Sequence, residues 1–331
     1  MKRSPQTLGQ YLRSWLEHHR RYGGRDGKGL APNTYQGYKD VLEGHVIPYL
    51  GDMPLQEVGP DHLKRLYAHM EQEKKLSRRM AALAHTILHK AFGDGVVEGK
   101  LAYNPCDRVP SPPRVRYRAE DRPWLAAERV PEVLAAAQDT RYYLPLFVAM
   151  STGLRRNEVL GLTWEDVDLE AGVLRVRRQW GPLDQDCTQH GRAELKTESA
   201  RREPPIPPPL ADALAAHKVA QQAQYGEAWH PGMLVFDRGD GRPIAPSDFD
   251  GAWRAIRKKL GLPDGLRLHD LRGSYVTWLA EQGVDLKTAS VLAGHSTIQV
   301  TAQFYRRVSP KLVREARDAI ARILGRPPAT P

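Results

Sequence analysis

Six side chains in the second domain of the chain combine cations, imidazoles and a phenol in an order that could work on a phosphodiester. Arg155 stands in STGLRRNEV, Lys196 in ELKTESARR, His269 and Arg272 in LHDLR, and His295 and Tyr305 ten residues apart in GHSTIQVTAQFYRR (294–307). Two guanidiniums can clamp the non-bridging oxygens of a phosphate in bidentate fashion. They can then neutralise the charge that builds in a pentavalent transition state without a metal. A tyrosine between a histidine and two arginines could supply the nucleophile. Its phenol ordinarily ionises near pH 10, and neighbouring guanidiniums favour the phenolate.

Taken singly, each residue also has a purely structural reading. Arg155 could pair with Glu158 across one helical turn. Lys196 could mark a hairpin tip, His269 a helix cap, and His295 a core imidazole. Metal chemistry is disfavoured, because His269 and His295 lack cysteine or carboxylate partners at the spacings zinc uses. GxxxxGK[ST], GxSxG and HExxH patterns do not occur.

The elements that must hold these residues fall into two groups. TLGQYLRSWLEHH (7–19) places Leu8, Leu12, Trp15 and Leu16 at helical spacing behind a Thr cap. NTYQGYKDVLEGHV (33–46) predicts a second helix, ended by Ile47-Pro48 and Gly51. PDHLKRLYAHMEQEKK (60–75) and LSRRMAALAHTILHKAFGDGVV (76–97) predict a third and a fourth. VPSPPRVRYR (109–118) is rich in proline and then basic, a linker composition. Helices are expected again in VPEVLAAAQ (130–138) and YYLPLFVAMSTG (142–153). Two strands are expected in GVLRVRRQW (172–180) and near ELKTESARREPPIP (194–207), with Gly181-Pro182 and Gly191 turning the chain. PPIPPP (204–209) reads as a stiff exit loop. Helices follow at 247–261, 268–283, 285–295 and 298–308. The last amphipathic segment, PKLVREARDAIARILG (310–325), precedes a PPATP end.

At 331 residues the chain has room for two cores. No run approaches the roughly 18 apolar residues of a membrane span, and MKRSPQTLGQYLRSW has no apolar signal core, so no membrane role is expected. Cys106 and Cys187 suit a reducing, cytoplasmic setting. Net charge is +10, and residues 1–118 hold 20 Lys and Arg against 12 Asp and Glu. An excess of +8 on the first third points to a polyanion, and nucleic acid fits better than a membrane surface.

The series TGLRRNEVLGLTWEDVD, LKTESARR, LHDLR and LAGHSTIQVTAQFY resembles the tyrosine recombinases, also called phage integrases. The order Arg, Lys, His-x-x-Arg, His, Tyr is that family's order. Any one of these motifs occurs by chance, whereas all of them in order are specific. TLGQYL, NTY…VLEGHVIPYLG and NPCDRVP look like the family's core-binding domain.

The resemblance implies a mainly α fold with a small β-sheet: a helical, SAM-like core-binding domain (1–110), a basic linker (111–121), an α+β catalytic domain (122–308) and a tail helix with a disordered end (309–331). It implies that Tyr305 attacks the scissile phosphate to form a 3′-phosphotyrosyl bond. Arg155 and Arg272 would bind the phosphate oxygens, and Lys196 would protonate the leaving 5′-oxygen. His269 would assist proton transfer, His295 would hydrogen-bond the phosphate, and Glu158 would orient Arg155. Because covalent capture stores the phosphodiester energy, neither ATP nor a metal cofactor is expected. The implied partners are double-stranded DNA recombination sites, a tetramer of the chain on two such sites, and accessory DNA-bending or directionality proteins. The tail helix, with its stripe of Leu312, Ala316, Ala319, Ile320 and Ile323, is expected to dock on a neighbouring subunit, with docking on its own domain as the alternative.

Two other readings share parts of this pattern, a type IB topoisomerase and a DNA-binding protein with an inactive site. The helical first unit and the tail after Tyr305 look like recombinase parts. The sequence also departs from its relatives. Gly273 follows Arg272 where histidine is common, and Arg306-Arg307 follow Tyr305. The chain begins almost directly at the core-binding helices, where many integrases carry a β-rich arm-binding domain.

Overall fold

Thr7 starts the first helix. Its hydroxyl accepts from the Gln10 N–H at 3.3 Å while the Gln10 side chain accepts from the Thr7 N–H at 3.1 Å, a reciprocal cap for two otherwise unpaired donors. Helix α1 then runs over Leu8–Tyr22 and buries Leu8, Leu12, Trp15 and Leu16. The computed structural model describes residues 6–24, 27, 29–113, 122–182, 190–195 and 200–305, with Arg314, Arg317, Asp318, Ile320 and Arg322 beyond them. Contacts divide the chain into two units, one holding residues 6–113 and the other most of the remainder.

The first unit is built from α1, α2 (Pro32–Val41), α3 (Ile47–Leu50), α4 (Pro60–Ala68) and α5 (Arg78–Val97). Leu63 and Leu66 of α4 and Ile87, Leu88 and Phe92 of α5 close its core against α1. Tyr11 Oη donates to the Ala91 carbonyl at 2.6 Å, and Trp15 Nε1 to Asp94 at 2.7 Å. The expected stop at Ile47-Pro48 does not occur. The chain stays helical through a π turn at Leu42–Val46 and ends at Gly51. The wider turn, with the Ile47 N–H on the Leu42 carbonyl, relieves the contact between a proline ring and the carbonyl four residues back. Cys106 is buried and burial pushes its thiol up to about 12, so it is a packing residue. Lys74, Lys75, Arg78 and Arg79 are exposed.

The second unit contains α6 (Val130–Ala137), α7 (Tyr143–Thr152), α8 (Arg156–Leu160), β1 (Val167–Asp168), β2 (Val173–Leu174), β3 (Arg178–Pro182) and β4 (His190–Glu194). Then come α9 (Pro208–Tyr225), α10 (Pro246–Lys259), α11 (Asp270–Glu281), α12 (Leu286–Ala293) and α13 (Ile298–Tyr305). β1 pairs antiparallel with β2, Val167 facing Leu174, and β3 pairs with β4. Helix α11 is the hub: Leu271 through Thr277 are buried, and it packs against α7, α12 and α13.

Three expectations change here. Gly181-Pro182 and Gly191 lie within β3 and β4 rather than in a turn. The expected second strand divides: residues up to Glu194 belong to β4, and beyond them, among the described residues, only isolated bridges form, Val176 with Arg202 and Val173 with Pro205. Pro204, Pro205 and Pro207 have no N–H to extend a ladder. The proline run also does not end as a loop, since Pro208 and Pro209 open the 18-residue helix α9, where a missing N–H costs nothing. Of the tail, only Arg314, Arg317, Asp318, Ile320 and Arg322 are described, all helical and exposed. Leu312, Ala316, Ala319 and Ile323 lie outside the described residues.

Candidate active site

The site grows from a sharp helix end. Helix α7 stops at Gly153, whose φ of +64° suits glycine, and a Cβ there would meet the Tyr275 ring at 2.4 Å. The chain then extends to Arg155, the N-cap of α8. Glu158, fully buried, accepts from the Arg155 N–H at 2.8 Å and from Nη1 at 2.7 Å. The Arg155 side chain is 37 % exposed, so the clamp aims a guanidinium outward from a fixed base.

A second glycine supplies the opposite wall. Gly294 ends α12 with φ +63°. Its carbonyl accepts from Arg155 Nη2 at 3.2 Å and from Arg272 Nη2 at 3.1 Å. Arg272, 4 % exposed on α11, also donates from Nη1 to the Gly153 carbonyl at 2.9 Å. Burial, then the Arg155 and Arg202 charges, lower its pKa to about 9, which leaves it cationic at neutral pH.

Arg272 Nε reaches His295 Nε2 at 3.3 Å, and His295 Nδ1 lies 2.8 Å from the buried Thr301 hydroxyl. A guanidinium can only donate, so Nε2 accepts and the imidazole proton sits on Nδ1. Burial, followed by the Arg272 and Arg155 charges, brings the His295 pKa down to about 3. The imidazole is therefore neutral at pH 7. Phe304 stacks on His295 at 6.2 Å between centroids. A Cβ at Gly273 would meet the Phe304 ring at 2.6 Å, which gives the sequence's glycine after Arg272 a packing reason.

His269 caps α11 and lines two depressions, a cleft of about 730 Å³ with Arg155, Arg156, Gln179, Ser247 and Arg254, and a smaller one of about 160 Å³ with Arg272, His295 and Phe304. His269 is exposed. Desolvation by the surrounding protein, then the Arg272 charge, lower its pKa.

Tyr305 is not with the guanidiniums. Its hydroxyl donates to the Val284 carbonyl at 2.5 Å. Burial, then Asp285, raise its pKa, so the phenolate that neighbouring arginines would favour is not what this arrangement supports. Lys196 lies outside the described residues.

Arg202 completes the site and did not stand out in the sequence. With 3 % of its side chain exposed, it donates from Nη2 to Glu158 Oε2 at 2.7 Å. Its Nε and Nη1 donate to the Leu292 carbonyl at 3.0 Å and the Ala200 carbonyl at 2.9 Å. Burial opposes ionisation of Glu158, but Arg202 and then Arg155 outweigh it and hold the carboxyl below its ordinary range. Three guanidiniums and one carboxylate leave this cluster at net +2.

One consequence is measurable. His295 binds a proton in the unfolded chain below about pH 6.5 but in the folded chain only near 3. Its contribution is whole above pH 6.5 and is lost as pH falls toward 3, at up to about 1.4 kcal/mol per pH unit. Urea midpoints should drop between pH 6.5 and 4, and His295→Gln should flatten that slope. An unchanged slope in the variant would refute the assignment.

The comparisons with known proteins agree with this frame. Residues 123–311 match the phage integrase family, and residues 7–70 match the phage integrase N-terminal SAM-like domain. A "Tyrosine recombinase XerC-like" protein of Caldanaerobacter subterraneus subsp. tengcongensis is 30 % identical, covering 92 % of this chain and 80 % of that one. The ICEBs1 integrase of Bacillus subtilis is 28 % identical over 88 % of this chain and 78 % of its own. Among solved structures, the Tn1549 transposon integrase in complex with a circular intermediate DNA superposes with a TM-score of 0.73 at 22 % identity, over 93 % of this chain and 99 % of that one. A lambda integrase dimer bound to a core site gives 0.69 at 18 % identity, over 91 % and 96 %. With a family model spanning more than half of its length, the chain belongs to the phage integrase family, the tyrosine-type recombinases that break and rejoin DNA strands.

Proposed function

We propose that the protein is a site-specific recombinase that cuts and rejoins duplex DNA through a 3′-phosphotyrosyl intermediate, with neither metal nor ATP. The observation that carries this reading is the cluster around Gly294, where Arg155 and Arg272 share one carbonyl and face a neutral His295. A net charge of +2 there matches a phosphodiester whose charge doubles as it becomes pentavalent. Tyr305 forms the new P–O bond once its hydroxyl leaves the Val284 carbonyl, and the bond to the 5′-oxygen breaks. Arg155 and Arg272 hold the non-bridging oxygens, and His295, which in the resting chain accepts from Arg272 Nε, hydrogen-bonds one of them once its proton is on Nε2. His269, exposed and lowered in pKa by desolvation and by Arg272, takes up the tyrosine proton, and Lys196 protonates the leaving oxygen. Religation runs the same steps backward, so the bond energy is conserved.

In this reading residues 1–110 bind DNA, 111–121 link, 122–308 perform the chemistry and 309–331 form the tail. Four subunits act on two sites in the cytoplasm, with accessory bending or directionality proteins as partners. The lambda integrase tetramer bound to a Holliday junction, whose fold this chain shares at a TM-score of 0.64, supports the assembly. No helix among the described residues is long and apolar enough to cross a membrane.

The test is a nicked suicide duplex carrying the crossover sequence that the protein selects from a random library. A covalent complex that survives denaturant, and joined recombinants from two such sites, are the expected products. Relaxed plasmid without joining would assign a topoisomerase, and binding without any adduct would sink the enzyme reading. The first unit gives a further expectation. Residues 1–110 alone should bind duplex DNA, with log affinity falling steeply against log salt, about 0.9 in slope for each neutralised phosphate. A flat salt response in a gel-shift series would return its exposed lysines and arginines to a role in solubility.

A further inference from the structure

We infer that Arg202 is a positioning residue for strand cleavage: by balancing Glu158 it leaves the charge of Arg155 available to the scissile phosphate. The inference rests on the proposed role of Arg155 and adds a residue that touches no substrate.

Glu158 is fully buried, and a carboxylate in that position needs compensation. Arg155 alone could provide it, through the 2.7 Å contact from Nη1. The two would then form a closed neutral pair, and Arg155 would meet a phosphate with its charge already cancelled. Arg202 prevents this. Its own contact with Glu158, also 2.7 Å, is made with almost no solvent exposure. Its Nε and Nη1 donate to the Leu292 and Ala200 carbonyls, Nη1 also reaching Glu158 Oε1 at 3.4 Å, and its backbone carbonyl accepts from the Val176 N–H at 2.9 Å. Arg202 is thus fastened to three segments and points no donor outward, whereas Arg155 keeps a solvent-facing guanidinium.

The same side chain shapes the corner that presents the other groups. Leu292 lies in the last turn of α12, two residues before Gly294. A Cβ on Gly294 would meet Arg202 Cδ at 2.9 Å. Gly294, whose carbonyl receives Arg155 and Arg272, therefore sits directly against Arg202. Charge balance and geometry converge on one residue, and neither would be visible from a list of groups that touch phosphate.

The test compares wild type, R202M, R202K and R202M/E158Q on the selected suicide duplex, with single-turnover cleavage, DNA affinity and urea denaturation measured for each. R202M should bind DNA within about twofold of wild type and cleave about 10²-fold more slowly, the scale of losing one preorganised transition-state contact. R202K, which keeps the charge, should recover to within about tenfold of wild type. R202M/E158Q restores the net charge of +2 by removing both partners and should cleave at least tenfold faster than R202M. A merely structural arginine would not show that rescue in the rate at unchanged affinity. The inference is overturned if R202M cleaves within threefold of wild type, if folded R202K is as slow as R202M, or if the double variant gains nothing. Should R202M fail to fold, R202K and the double variant carry the comparison. If wild type forms no adduct, the recombinase reading fails on its own terms. The denaturation cycle still reports on Arg202, because a smaller loss in R202M/E158Q than in R202M is required.

Discussion

Tyr305→Phe is expected to abolish the covalent protein–DNA complex outright while leaving DNA binding unchanged. The phenolic oxygen is the only heavy atom removed, and among the described residues it makes one hydrogen bond, to the Val284 carbonyl. Loss of that bond should cost about 1 kcal/mol of stability, too little to unfold the second unit. Catalysis is another matter, because no phosphotyrosyl bond can form without the oxygen. The measurement is denaturing electrophoresis of wild type and variant after incubation with the suicide duplex, beside a gel-shift titration. An adduct surviving in the variant would move the nucleophile to another residue. The resting position adds a second expectation of the same reading. In this reading release of Tyr305 from Val284 precedes attack, and Asp285→Asn, which removes a negative charge near the phenol without touching its hydrogen bond to Val284, should not slow adduct formation. Asp285 raises the phenol's pKa through its charge, and removing that charge favours ionisation.

The helices of both units were legible wherever a cap or proline coincided with apolar spacing, as at Thr7, Pro60 and Asp285. Pattern reading failed where one residue type serves opposite ends. Prolines 207–209 suggested an exit loop, yet proline is equally at home in the first turn, and Leu210 and Leu214 just beyond were the signal for α9. Pro48 suggested a stop, and only the π turn before it shows why the helix continues. At the site, Arg155 with Glu158 was readable because three residues bring both to one helix face. Arg202 was not, since in SARR nothing distinguishes it from Arg201. Its role follows from the complete burial of Glu158, a property of the folded unit. The position of Tyr305 likewise lay beyond sequence: its arginine neighbours at 306 and 307 suggested a cationic setting, but the fold points the hydroxyl to a carbonyl beside Asp285.

Lys196→Ala should slow cleavage by about 10²–10⁴-fold, the range over which a positioned general acid contributes. Leu195 packs against the core of the second unit, and Ala200 is buried beside Arg202, whose Nη1 takes the Ala200 carbonyl. In sequence Lys196 follows Leu195 directly and precedes Ala200 by four residues. Two roles remain physically distinct. As a phosphate ligand it would stabilise the transition state whatever the leaving group; as an acid it matters only while the leaving oxygen needs a proton. A duplex with sulfur in place of the bridging 5′-oxygen separates them, because a thiolate leaves without protonation. With that substrate Lys196→Ala should recover most of the wild-type rate, whereas Arg272→Ala, which in this reading removes a group acting on the non-bridging oxygens, should stay slow. Failure of the sulfur substrate to rescue Lys196→Ala would make the lysine another phosphate ligand, and the proton for the leaving oxygen would then have to come from His269 or from water.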